Sequence, residues 1–215
     1  MSVVNGQATF VRELELRCGV LRVHQLTVGD VGCVVWDAAL VLAGYVEKQE
    51  TTLPEYWKNR RVVELGAGTG IVGLVAACYG AHVTLTDLPE FVELMNLNVL
   101  ENSALVTGSA RAQSLTWGQD WDKGLDGCEV ILMSDVVYYE QSLEPLVKTL
   151  GQLTRPGTKI LMSYEERTSS EKQRIRDKFF ELMMKEYVFR QADSEELDEH
   201  FRSEDIIVIE FSLGR

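Results

Sequence analysis

From Arg61 onward, short β-rich runs alternate with segments of helical length, and this alternation limits the fold more than any other feature of the chain. RVVEL (61–65) stops at a glycine cluster, and IVGLVAACYG (71–80) has helical length and closes on Gly80. HVTLT (82–86) reads as a second strand, followed at once by Asp87 and a helix over roughly 89–101. A third strand falls around 109–115, CEVILMS (128–134) is a fourth and TKILMSY (158–164) a fifth. Ser142 to Leu153 predicts a helix ended by Pro156-Gly157, and a charged amphipathic helix spans about 170–186. DIIVIEF (205–211) is a final strand with a partner near 187–191. Strands separated by helices call for an α/β fold: a mostly parallel sheet with right-handed crossovers and helices on both faces.

Upstream, FVRELEL (10–16) and VLRVHQL (20–26) alternate apolar and polar residues around Cys18-Gly19, the pattern of a β-hairpin. Asp37 to Val46 predicts a buried helix ending near the linker EKQETTLPEY. The stretch 47–58 is the candidate boundary. Residues 1–58 read as a hairpin and helix extension packed on a core of 59–215, together one structural domain.

Composition excludes several partners. The 33 acidic residues against 21 basic ones disfavour binding to phosphate backbones, so no nucleic acid is expected. No apolar run approaches the roughly 18 residues of a membrane span. The N-terminal residues lack a basic stretch followed by an apolar one, so no secretory signal is expected. Cys33, Cys78 and Cys128 lie in apolar runs and read as buried, reduced thiols, while Cys18 joins them in no CxxC pair. His24, His82 and His200 have no ligand-like spacing, so no metal is expected. The expected location is the cytoplasm, with the nucleus left open, and a monomer is the default state.

ELGAGTGIVG (64–73) sits between the first parallel strand and its helix, at the carboxyl end of the sheet, where open α/β folds hold their ligands. Its glycines allow a tight turn and a close approach of the ligand to the backbone. Asp87 ends the next strand, where a carboxylate can accept both ribose hydroxyls of an adenosine. Gly68, Gly70 and Gly73 satisfy GxGxxG, so a nicotinamide dinucleotide and an NAD(P)-dependent oxidoreductase are formally allowed. The operative pattern from Glu64, however, is E-x-G-x-G-x-G, and a carboxylate there would repel a pyrophosphate but be tolerated beside a sulfonium.

The fourth strand runs into SDVVYY (134–139). If this segment turns helically, Asp135 and Tyr138 share one face and can orient an incoming amine; the plainer alternative for Asp135 is a helix N-cap. Trp36 and Trp117 are either core anchors or walls of a ligand pocket. Glu165 is either part of an acceptor channel or a solvated loop carboxylate.

Taken together, the ExGxGxG loop, the Asp closing strand two and the Asp-x-x-Tyr after strand four resemble the seven-β-strand S-adenosylmethionine-dependent protein-lysine methyltransferases. That resemblance covers VGCVVWDAA (31–39), VVELGAGTGIVGL (62–74), VTLTDL (83–88), LTWGQ (115–119), DVVYYEQSLEPLVKTL (135–150), YEERT (164–168) and FRSEDI (201–206). It implies a Rossmann-like seven-stranded sheet with an antiparallel C-terminal strand. It implies S-adenosyl-L-methionine as cofactor, with S-adenosyl-L-homocysteine as product. Trp36, Gly66, Ala67, Gly68, Asp87, Trp117 and Ser134 fall where the family contacts the cofactor, and Asp135 and Tyr138 fall on its Asp-x-x-Tyr. The segments look most like the branch acting on valosin-containing protein, which implies trimethylation of a lysine on that hexameric AAA ATPase. An idle binding module that retains the fold is the non-enzymatic alternative.

Such chemistry needs a neutral amine. A free lysine, with pKa about 10.4, is neutral in roughly one molecule in 2,500 at pH 7, a penalty near 4.6 kcal/mol. A nearby carboxylate raises that pKa further, so Asp135 is expected to orient the amine rather than to serve as a strong base.

Overall fold

The computed structural model describes residues 2–121 and 124–214. Among the described residues there are two sheets. The N-terminal one is antiparallel, β1 (Val3–Val4), β2 (Gln7–Leu16) and β3 (Gly19–Leu26), so the predicted hairpin carries one additional short strand.

The larger sheet contains β4 (Arg61–Leu65), β5 (His82–Asp87), β6 (Ser109–Ser114), β7 (Val130–Ser134), β8 (Lys159–Glu165), β9 (Tyr187–Gln191) and β10 (Ile206–Leu213). Their spatial order is β6-β5-β4-β7-β8-β10-β9. β4 to β8 pair in parallel, and β10 runs antiparallel to both β8 and β9. The order reverses between β4 and β7, which opens a crevice at their carboxyl ends.

The helices are α1 (Asp37–Thr52), α2 (Ile71–Cys78), α3 (Val92–Glu101), α4 (Leu143–Leu153) and α5 (Ser170–Met183). Central strands are apolar on both faces because helices cover both. Val62, Leu132 and Leu161 pack toward α1 and α2, whereas Val63, Ile131 and Met162 pack toward α4 and α5. Every residue of α2 is buried, as its unbroken apolar sequence demands.

One boundary differs from expectation. α1 continues through residues 47–52, half of the presumed linker: Glu47 is buried and accepts the Arg17 backbone N–H at 2.8 Å, and the helix reaches solvent at Thr51 and Thr52, whose hydroxyls donate to the Lys48 carbonyl. Beyond it, fully buried Trp57 donates its indole N–H to the Val46 carbonyl at 2.9 Å, tying the connection to α1.

The extension is fastened to the core by two asparagines of the α3 region. Asn98 accepts from the His24 backbone N–H at 2.7 Å and donates to the carbonyls of His24 and Thr69. Asn102 exchanges the same pair of bonds with Arg22. Strand β3, helix α3 and the glycine loop are thereby held in one register, and the 30–36 segment that follows β3 is set over the glycine loop. Cys33, Cys78 and Cys128 are buried and unpaired, as their apolar settings suggested, and Cys18 is half-buried.

Candidate active site

The carboxyl ends of β4, β5 and β7, the 30–36 segment and the start of α4 enclose a cavity of about 330 Å³. Trp36, Gly66, Ala67, Gly68, Asp87, Trp117, Ser134, Asp135 and Tyr138 all line it. The structure therefore brings these nine residues together, whereas Glu64 and Glu165, also considered in the sequence, lie outside the lining.

One half of the cavity is built from backbone. Gly66 and Gly68 have φ of +65° and +53°. A Cβ on Gly66 would stand 2.8 Å from Val136 Cγ1, and one on Gly68 would stand 2.8 Å from the Gly32 carbonyl oxygen. Both dihedral and space demand glycine at these positions. Asp87 accepts the Gly68 N–H on Oδ2 and the Leu88 N–H on Oδ1, each at 2.7 Å. Burial pushes its pKa up to about 6, with the two N–H donors opposing the rise and Glu90 and Asp30 adding to it. At neutral pH it is ionised, and each oxygen retains a second lone pair, enough to receive a vicinal diol.

Glu64 departs from expectation. It does not line the cavity; it is buried beneath the loop, where it accepts the Gly73 N–H of the first turn of α2 at 2.8 Å. Desolvation pushes its pKa up to about 8. The residue is thus largely a neutral acid locking the helix start, not a charge facing a ligand.

The two tryptophans part company. Trp36 is 45% exposed at the mouth, with its indole N–H donating to the Val31 carbonyl at 2.7 Å, so it is no core anchor. Trp117 is half-buried and does both jobs, packing on the α4–α5 core and walling the cavity beside Gly66.

The other half of the cavity is built from charged and aromatic side chains. Residues 135–139 form an irregular loop, and α4 starts only at Leu143, so neither the helical face nor the N-cap reading of Asp135 holds. Asp135 instead adopts φ +52°, a left-handed value that Asp tolerates better than most residues, while its backbone N–H donates to the Ser163 carbonyl at 2.9 Å. Its carboxylate is gripped bidentately by Arg167, with Nη1 2.9 Å from Oδ1 and Nη2 2.5 Å from Oδ2. Arg167 also reaches Glu165 at 3.2 Å, and its guanidinium carbon lies 5.3 Å from the Tyr138 ring centroid. The bond to Asp135 is the main reason its pKa rises above the ordinary arginine value. Lys172 Nζ sits 3.3 Å from the Tyr138 ring centroid and donates to the Tyr138 carbonyl at 2.8 Å. Glu165 is not part of the wall; it holds Arg167 from outside. Arg167 is the functional candidate that sequence reasoning missed, although YEERT contains it, because its partner lies 32 residues away.

A family profile described as lysine methyltransferase matches residues 17–186, which is most of the chain. The chain belongs to that family. EEF1A lysine methyltransferase 3 of Xenopus tropicalis is 40% identical over 155 residues, covering 70% of this chain and 66% of that protein. Protein N-lysine methyltransferase METTL21A of Danio rerio is 42% identical over 137 residues, covering 62% of this chain and 60% of that protein. The chain thus spans 60–66% of the length of these relatives. Among solved structures, the Thermus thermophilus 16S rRNA N2 G1207 methyltransferase RsmC superposes with a TM-score of 0.65 at 18% identity, covering 96% of this chain and 51% of that one. The glycopeptide N-methyltransferase MtfA gives 0.60 at 14% identity, covering 80% and 90%. At such identities the likeness shows the fold, which is that of S-adenosylmethionine-dependent methyltransferases.

Proposed function

We propose that the chain transfers methyl groups from S-adenosylmethionine to the ε-amine of a lysine on a protein substrate. The observation that carries this reading is the joining, in one cavity, of a glycine-backed diol acceptor at Asp87 and an amine-orienting pair at Asp135 and Tyr138. The residues fit the cofactor: Asp87 would take the ribose hydroxyls, Gly66 to Gly68 would give the nucleoside clearance, Trp36 and Trp117 would wall it, and Ser134 would offer a backbone contact. When bound, S-adenosylmethionine supplies a sulfonium-activated methyl carbon, which the amine lone pair takes while the C–S electron pair stays on sulfur.

The protein's own task is placement. Asp135 accepts N–H bonds from the amine, Tyr138 limits its approach, and the ammonium proton leaves to water before attack. Such orientation, without a built nucleophile, is a recognised source of rate. A dinucleotide is disfavoured on the same geometry. The N–H groups of Gly68 and Gly73 that could serve a pyrophosphate are already taken by Asp87 and Glu64.

The acceptor we favour is valosin-containing protein, on the sequence resemblance. EEF1A is the second reading, favoured by the 40% identical relative named for it. We further read the chain as a cytoplasmic monomer organised as a single structural domain. The test is incubation with tritiated-methyl cofactor and each purified acceptor, alongside calorimetry with S-adenosylmethionine and NADH. Label on a lysine and binding of the sulfonium nucleoside alone are expected. Binding of NADH without S-adenosylmethionine, or no label on any protein, overturns the proposal.

A further inference from the structure

The amine-binding half of the cavity holds a carboxylate, and a bare carboxylate would work against the reaction. It would stabilise the ammonium form of the arriving lysine and raise its pKa by about one to three units. In this structure Asp135 is not bare. Both of its oxygens are bonded to Arg167, and only 7% of its side chain and 17% of that of Arg167 are exposed.

We propose that Arg167 is a positioning residue that matches the charge of Asp135, so that the acceptor lysine is drawn in by hydrogen bonding and not held as an ammonium. The inference rests on the methyltransferase reading above. A carboxylate has about four lone-pair sites; the guanidinium takes two and the Glu165 backbone N–H reaches a third on Oδ1 at 3.5 Å, leaving one for an amine N–H. The charged surroundings of Arg167 come from three segments. The loop after β7 gives Asp135 and Tyr138; the end of β8 gives Tyr164 and Glu165; α5 gives Lys172 and Arg176, the latter paired to Glu166. Asp135 and Glu165 are balanced by Arg167 and Lys172, and removing Arg167 leaves one negative charge in excess beside the amine. Its grip also fixes the carboxylate of a residue whose backbone is left-handed.

The test compares wild type with Arg167→Gln and Arg167→Lys in two measurements. In the first, the pH profile of kcat, which reports ionisations in the enzyme–substrate complex, is followed on the acceptor that takes label. Arg167→Gln should move the acidic limb upward by about one unit or more, a roughly tenfold loss at pH 7 that narrows as pH rises through the limb and closes about one unit above its shifted position. Arg167→Lys should restore most of the limb. A uniform loss at every pH, or an unmoved limb, overturns the proposal. In the second, n-butylamine at pH 7 serves as the smallest amine probe, its binding followed by NMR titration of the protein saturated with S-adenosylhomocysteine. Arg167→Gln should bind butylammonium at least fivefold more tightly than wild type, and the double variant Asp135→Asn, Arg167→Gln should lose that gain. Equal or weaker binding by Arg167→Gln overturns the proposal even where transfer to protein is seen. Absence of transfer to any protein, with the butylammonium gain intact, overturns the acceptor reading while upholding the charge match.

Discussion

The two halves of the cavity are made by different means. Around Gly66, Gly68 and Asp87 the wall is mostly backbone, with positive φ values and N–H donors holding the Asp87 carboxylate, and these groups lie within one βαβ unit. Around Asp135, Tyr138 and Arg167 the wall is a cluster of side-chain charges and rings, with Lys172 of α5 packed against Tyr138 behind it. The first half suits a ligand of constant shape. The second, on the proposed function, is suited to balancing charge around an amine whose protonation state decides whether it reacts.

Substitutions should separate the halves. The largest effect is expected for Asp135→Ala, which should lower methyl transfer by about 100-fold or more through lost orientation while leaving the S-adenosylmethionine Kd within about threefold. Radiolabel transfer and calorimetry on the same preparation check both, and unchanged turnover would remove Asp135 from its role. Next, Asp87→Ala should weaken cofactor binding by about 3 kcal/mol, or roughly 100-fold, since two charge-assisted hydrogen bonds are lost.

The wild-type affinity should itself depend on pH. Asp87 has its folded pKa raised to about 6 from an ordinary 3.8, so it takes up a proton and loses acceptor capacity as pH falls through about 6. Calorimetry at pH 5 and pH 7.5 should show weaker binding at the lower value, and Asp87→Asn should show little difference between them. Gly68→Ala comes third. Its left-handed backbone would cost about 1–2 kcal/mol, quite apart from the approach to Gly32, and should lower both Tm and cofactor affinity.

The smallest effect concerns Glu64. Its folded pKa is raised to about 8 above the ordinary 4.5, so its stabilising contribution is complete below about pH 4.5 and is lost as pH rises toward 8. Glu64→Gln should flatten that part of the stability curve between pH 5 and 8.5 without moving transfer kinetics at neutral pH. Parallel curves in urea unfolding would show that Glu64 does not titrate there.

The same division explains what could be read from the sequence. RVVEL, HVTLT and VILMS are β-rich runs, buried along most of their length because their strands are covered on both faces, and each was located to within a residue or two. β6, SARAQS, is polar because it closes the sheet at one edge, yet its parallel pairing with β5 gave it the expected place. The glycine loop and Asp87 were legible because their spacing is local. Val3–Val4 was too short to signal a strand, and residues 47–52 looked like a linker because an exposed helix end carries polar residues. Glu64 misled because its sequence position does not reveal that the side chain turns under α2. Arg167 escaped notice for a similar reason: an ion pair across 32 residues leaves no periodicity, and only the parallel pairing of β7 with β8 brings the two ends together.

The most direct measurement is a crystal structure with S-adenosylhomocysteine bound. The ribose hydroxyls should lie within hydrogen-bond distance of both Asp87 oxygens, with the sulfur directed toward Asp135 and the Arg167 grip intact. A nucleoside lodged elsewhere, or one whose sugar ignores Asp87, would contradict the assignment of this cavity.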